Sequence, residues 1–130
     1  MPKRVKDHPR SEKEILLQKI QTTNSVHDLI EISRHPDPKI RLKSIQQMCP
    51  CHVESDIDLF WNRLFEMVTD EDRDVRYQVL HNMCDGSPSH LEADVVKALD
   101  KLNYDTDSVI RRKVHQIMGH YSKTGEWNIM

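Results

Sequence analysis

Aromatic side chains make up only 5% of the 130 residues, and there are three glycines. Strands and their turns draw on both, so the scarcity, taken with the helical spacing described below, argues for an all-α chain. Long apolar runs are missing too, since none approaches the roughly 20 residues that span a bilayer. Cysteine is sparse and unpaired in number. Cys49, Cys51 and Cys84 are three, and the start Met1-Pro2-Lys3-Arg4 continues into polar residues rather than an apolar signal core. The expectation is a soluble, reducing, cytoplasmic setting with free thiols. Nor does one sign of charge dominate: a net charge of -2 gives no global steer toward nucleic acid or membrane.

What is present is polarity on a regular beat. Charged residues are 31% and apolar residues 37%, with mean hydropathy -0.70. That is polar for a compact globule of one domain's length, but ordinary for a thin stack of helices with much surface. The beat is a 35-residue repeat. The segment from Asp37 to Met48 recurs from Asp72 to Met83 and from Asp107 to Met118. Ile40, Val75 and Ile110 fall in register, as do Arg41, Arg76 and Arg111. A fixed period without slippage is the signature of a helical-repeat array.

Each repeat supplies a first and a second helix. The first helices are expected at about 23–34, 54–69 and 89–104. Val26, Trp61 and Val96, then Leu29, Leu64 and Leu99, then Ile32, Met67 and Leu102 keep the register, three apart on one helical stripe. The second helices start at Asp37, Asp72 and Asp107, natural N-caps, with Pro38 at the first helical position. Pro36, Pro50 and Pro88 fall in the predicted connections. Ahead of the array, Ser11 and Glu14 fit a capping box for a cap helix over 11–21 with Ile15, Leu16 and Ile20 on its apolar side. Residues 1–10, with Lys3, Arg4, Lys6 and Arg10, read as a flexible basic arm, and 11–130 as a single domain. Within it the repeats fall at about 22–49, 50–84 and 85–121. The stretch from Gly119 on, with 122–130 beyond the last repeat, holds Gly125, Trp127 and Ile129, expected to fold over that repeat. Paired helices of this length cannot bury both stripes alone, so the pairs must stack.

The pattern resembles the HEAT repeat family, in which an Asp in the inter-helix turn precedes a Val-Arg pair opening the second helix. Asp70 with Val75-Arg76 and Asp105 with Ile110-Arg111 match it, whereas the first repeat has His35 at the Asp position. The resemblance covers about residues 23–121 and implies an α-solenoid, a right-handed superhelical array. It also implies that Arg41, Arg76 and Arg111 form a structural ion-pair ladder with turn acids such as Asp70 and Asp105, rather than an anion-binding row. In such arrays the second helices line the concave face. The family speaks to fold more than to function.

Candidates for chemistry are few. Cys49, Cys51, His52 and Cys84 look like metal-ligand material, but equivalent positions on stacked helices stand roughly 8–10 Å apart, while zinc needs donors at about 2.0–2.3 Å. The same gap excludes a Cys49–Cys84 disulfide. Buried thiols are the plainer expectation, and no cofactor is expected. His81 lies three residues before Cys84, yet helix C-termini disfavour a thiolate there and at Cys49. None of the eight histidines is followed by Glu, so the paired His-Glu metal motifs of some HEAT-type hydroxylases are absent. Glu54, Asp56, Asp58, Glu92 and Asp94 sit early in the first helices, where they complement the helix dipole.

Charge separates by layer: the second helices are net positive and the first helices net negative. With the resemblance, this implies a mildly basic groove lined by Lys39, Lys43 and Gln46, then Tyr77, Gln78 and His81, then Arg112, Lys113 and Gln116. The expectation is a non-catalytic interaction module or scaffold for an acidic peptide or protein surface. The alternative is a nucleic-acid binder distantly like the HEAT-like DNA alkylation-repair glycosylases, for which the chain is short and shows no pocket acid. A third possibility is a subunit whose end faces stack on further repeats. No membrane partner is expected.

Overall fold

The computed structural model describes residues 11–48 and 58–129. All regular structure among them is helical, in seven α-helices: α1 (Glu12–Thr22), α2 (Val26–Ile32), α3 (Pro38–Gln47), α4 (Asp58–Glu66), α5 (Arg73–Met83), α6 (Glu92–Leu102) and α7 (Ser108–Thr124). Short 3-10 turns at Met67–Thr69 and Ser89–Leu91 extend the end of α4 and the start of α6. Glu54 and Asp56 lie outside the described residues, as do Cys49, Cys51, His52 and the arm 1–10.

The helix starts follow local chemistry. Ser11 Oγ accepts the Glu14 N–H at 3.2 Å while the Ser11 N–H donates to Glu14 Oε1 at 3.3 Å, the reciprocal capping box. Asp37 accepts from the Lys39 N–H, Asp72 from Asp74 and Val75, and Asp107 from Val109 and Ile110, all at 2.9–3.1 Å. Helix α2 is shorter than its spacing suggests. Thr23 Oγ1 accepts the Ser25 N–H at 3.0 Å and Ser25 Oγ caps Asp28, so 23–25 becomes a connection. Helix α7, by contrast, continues through Gly119 and ends at Gly125, whose φ of 76° supplies the left-handed stop.

Helix α3 packs on α1, α2 and α5, while α4 packs on α2, α5 and α6, and α6 packs on α7. One core runs from Ile20 to Trp127. Ile40, Val75, Ile110, Leu29, Leu64, Leu99, Ile32, Met67 and Leu102 are all buried, as their register requires. Trp61 is buried, whereas Val26 and Val96 are half-buried. Phe60 and Val95, beside the expected stripe, are fully buried as well. Polar groups stitch neighbouring helices: Asn82 Nδ2 donates to the Ile45 carbonyl in the last turn of α3 at 2.9 Å, and Arg63 donates to Ser33 Oγ and to the Ser33 carbonyl at the end of α2. Both carbonyls stand at helix ends, where the last acceptors look outward for donors, although the Ile45 carbonyl also accepts the Met48 N–H at 3.0 Å.

The tail folds back. Trp127 is buried, with its ring 5.7 Å from that of Tyr121, and its Nε1–H donates to Ser87 Oγ. Asn128 Oδ1 accepts the N–H groups of Gly86 and Ser87 at 3.0 and 3.2 Å. Ile129 does not join the core and stays exposed.

Candidate functional site

The arginines at the openings of α3 and α5 form two like rungs. Arg41 donates from Nε and Nη2 to the Asp70 carboxylate at 2.9 and 3.0 Å. Arg76 does the same to Asp105 at 2.7 and 3.0 Å. Each arginine therefore reaches forward to the turn acid of the following pair rather than to its own. Its own turn supplies backbone acceptors: Nη1 of Arg41 donates to the carbonyls of His35 and Pro36, and Nη1 of Arg76 to those of Asp70 and Glu71. Asp70 raises the pKa of Arg41 further through that hydrogen bond. Exposure of 8% and 9% for Arg41 and Asp70, and of 12% and 6% for Arg76 and Asp105, makes both rungs interior pairs. Arg111 donates only to the Asp105 carbonyl, at 2.7 Å, and meets no carboxylate among the described residues.

Turn acids do a second task. Asp70 Oδ1 accepts the Asp72 N–H at 2.9 Å and Asp105 Oδ1 the Asp107 N–H at 2.8 Å. In the first pair His35 Nδ1 accepts the Asp37 N–H at 3.0 Å, keeping the turn without the carboxylate. A further inter-pair bond was hidden from sequence spacing: Arg73 Nε donates to Asp107 Oδ2 at 2.9 Å.

The residues of the expected basic surface divide into three groups. On α3, Lys39, Lys43 and Gln46 are exposed. Lys43 and Gln46 also line a shallow depression of about 230 Å³ between α3 and α1, with Leu17, Ile20 and Gln21. On α7, Arg112 and Gln116 are exposed and Lys113 is half-buried. Lys113 lies near enough to Cys84 for its charge to act on that thiol. On α5, between them, the side chains are occupied. The Tyr77 ring lies under the Arg73 guanidinium at 5.5 Å. Gln78 donates to Asn82 Oδ1 at 2.9 Å, and His81 Nε2 stands 3.9 Å from Asp85. Positive charge is thus gathered at α3 and at α7, with a neutral, aromatic strip between. Lys39, Lys43, Arg112 and Lys113 have no ion-pair partner among the described residues.

Cys84 is fully buried, and burial pushes its thiol up to about 12 against a small pull from Lys113. A thiol held protonated at neutral pH is a packing group, not a nucleophile. The other three candidate metal ligands, Cys49, Cys51 and His52, lie outside the described residues. Among the described residues no cluster of ligand side chains is arranged to hold a metal, and no helix is long and apolar enough to cross a membrane.

Two surface hollows escaped sequence reasoning. One, of about 320 Å³, is lined by Ser87, Ser89, Glu92 and the tail residues Gly125 to Asn128. The other is an open depression of about 750 Å³ between α6 and α7, with Ala93, Val96, Met118 and Tyr121 among its walls. The only signal for it in the sequence is that Val96 and Met118 repeat residues expected to be core. No family model, curated protein or solved structure matches the chain.

Proposed function

We propose that the chain is a short HEAT-like α-solenoid acting as a non-catalytic interaction module, which docks an acidic peptide or protein surface on the face formed by its second helices. One observation carries this reading: the ladder arginines Arg41 and Arg76 are matched by carboxylates, while Lys39, Lys43, Arg112 and Lys113 on α3 and α7 have no ion-pair partner among the described residues. Unmatched cations at two ends of a face raise the local concentration of an acidic partner and set its register. Tyr77, half-buried between them, offers the amphipathic contact area that interface centres favour. The repeat reading draws support from two forward-reaching rungs and three Asp-capped second helices in one register.

Fluorescence anisotropy with a labelled oligoglutamate peptide, and in parallel with labelled single- and double-stranded DNA and RNA, tests it at low and near-physiological salt. The peptide is expected to bind with a shallow salt dependence. Lys43→Glu with Arg112→Glu, both at exposed positions, should weaken it about tenfold, or 1.4 kcal/mol. Tighter binding of an oligonucleotide with a steep log-log salt slope would transfer the face to nucleic acid. No binding of any probe at low salt would sink the reading.

A further inference from the structure

We infer that the outer face of the last helix pair, α6 and α7, is a docking surface for a helical hairpin of a partner protein that carries an Asp or Glu in its inter-helix turn. The inference stands on the 35-residue register and is independent of the basic face.

Its centre is Arg111. In the first two pairs the equivalent guanidinium is held by its own turn through Nη1 and grips the next turn's carboxylate through Nε and Nη2. Arg111 is held in the same way, Nη1 to the Asp105 carbonyl. Its Nε–Nη2 edge meets no acid among the described residues. A planar fork fixed on one side and open on the other is built for a two-point carboxylate contact. The two filled rungs define where that carboxylate stands: in the turn of a helix pair stacked on this one.

Apolar ground adjoins the fork. Arg111 and Met118 are seven residues apart, about two turns along one stripe of α7. Met48 and Met83, at equivalent positions, are fully buried, whereas Met118 is only half-buried and walls the depression with Tyr121, Ala93 and Val96. Between Arg111 and Met118 stands His115, exposed where the first two pairs bury Ile45 and Leu80. The face keeps the fork and a smaller apolar patch but interrupts the stripe with an imidazole. That composition suits a partner that docks and leaves rather than a permanent stack. A second copy of this chain fits badly. Its first turn presents His35 where the carboxylate belongs, and α1 packs across α2 and α3 on that side.

The test titrates the 130-residue chain, ¹⁵N- and methyl-methionine-labelled, with a synthetic peptide of its residues 89–124 that carries Asp105 in its turn. The peptide is stapled within each helix and used only once circular dichroism shows it helical. The expected result is saturable binding that moves the Arg111 Nε–H and Met118 methyl signals. Arg111→Ala in the chain, or Asp105→Asn in the peptide, should each weaken it about tenfold, and the two together no further. Lys43→Glu should leave it unchanged, which separates this surface from the basic face. Absence of saturable binding overturns the inference. So does binding indifferent to Arg111→Ala, because the peptide would then be replacing the chain's own last pair against Arg76. Sedimentation of the chain alone should show a monomer, and self-association abolished by Arg111→Ala would install a second copy as the occupant and overturn the assignment to a foreign hairpin.

Discussion

Arg41, Arg76 and Arg111 are the same residue at the same register, yet their surroundings make them energetically different. Arg76 donates to both oxygens of Asp105 and to two backbone carbonyls, at 12% exposure. Removing it leaves a nearly buried carboxylate and two carbonyls without their donor. Arg76→Ala is therefore expected to cost roughly 3 kcal/mol, the lower end for breaking an interior pair. Arg111→Ala removes a single hydrogen bond and should cost about 1 kcal/mol or less. Urea denaturation of both variants checks the contrast, and equal losses would contradict it. The register named these residues in advance but not the direction in which they reach. Spacing says which side chains are equivalent; whether an arginine grips its own turn or the next depends on how the pairs stack. His35 shows the limit from the other side. It breaks the residue pattern and still preserves the turn, because a ring nitrogen can accept the same Asp37 N–H.

Among the elements, the second helices were the most legible, since an Asp N-cap is a local property that survives any tertiary context. The first helices were less so. Thr23 and Ser25 compete for backbone donors ahead of α2, and α6 is entered through a 3-10 turn with no side-chain cap. The caps also carry a pH signature. Asp107 is held below the usual carboxylate range, first by the Arg73 hydrogen bond and then by the Ile110 N–H. Asp37 is held down first by Lys13 and then by the Lys39 N–H. A carboxylate lowered in the folded state stabilises above its unfolded value of about 3.9. That contribution is lost as pH falls through the folded value. Melting temperature should consequently drop on acidification below about pH 4. Asp107→Asn, which keeps a capping oxygen but no charge, should flatten that limb and lower the neutral-pH melting temperature by the same contribution, while leaving the acid-side value near that of the parent chain. An unchanged acid limb would show that Asp107 contributes nothing to it.

For the whole molecule, the all-α architecture and its single core followed from the 35-residue beat, because every in-register apolar position had to find a neighbour. The surface followed less directly. Lys39, Lys43, Arg112 and Gln116 stand in solvent as their off-stripe positions imply, but side-chain rotamers decide the middle strip. Arg73 covers Tyr77, and Gln78 turns to Asn82. The α6–α7 depression was harder still to foresee, since its walls are residues whose equivalents are core.

The two tryptophans divide the molecule between them. Trp61 lies edge-on against Phe60, 4.8 Å between ring centres, in a helix flanked by α2, α5 and α6. Trp127 sits in the tail against Tyr121 and Ser87, over the last helix pair, whose α6 is flanked by α7 and by α4 with its 3-10 extension. Fewer flanking elements mean a lower free energy for local opening. In single-tryptophan versions of the chain, made by Trp61→Phe and Trp127→Phe, emission from Trp127 should shift to the red at a lower urea concentration than emission from Trp61. Coincident shifts would mean that the chain melts as one unit; the expected order would mean that it unravels from its last helix pair inward, so that colour alone records how far the opening has travelled.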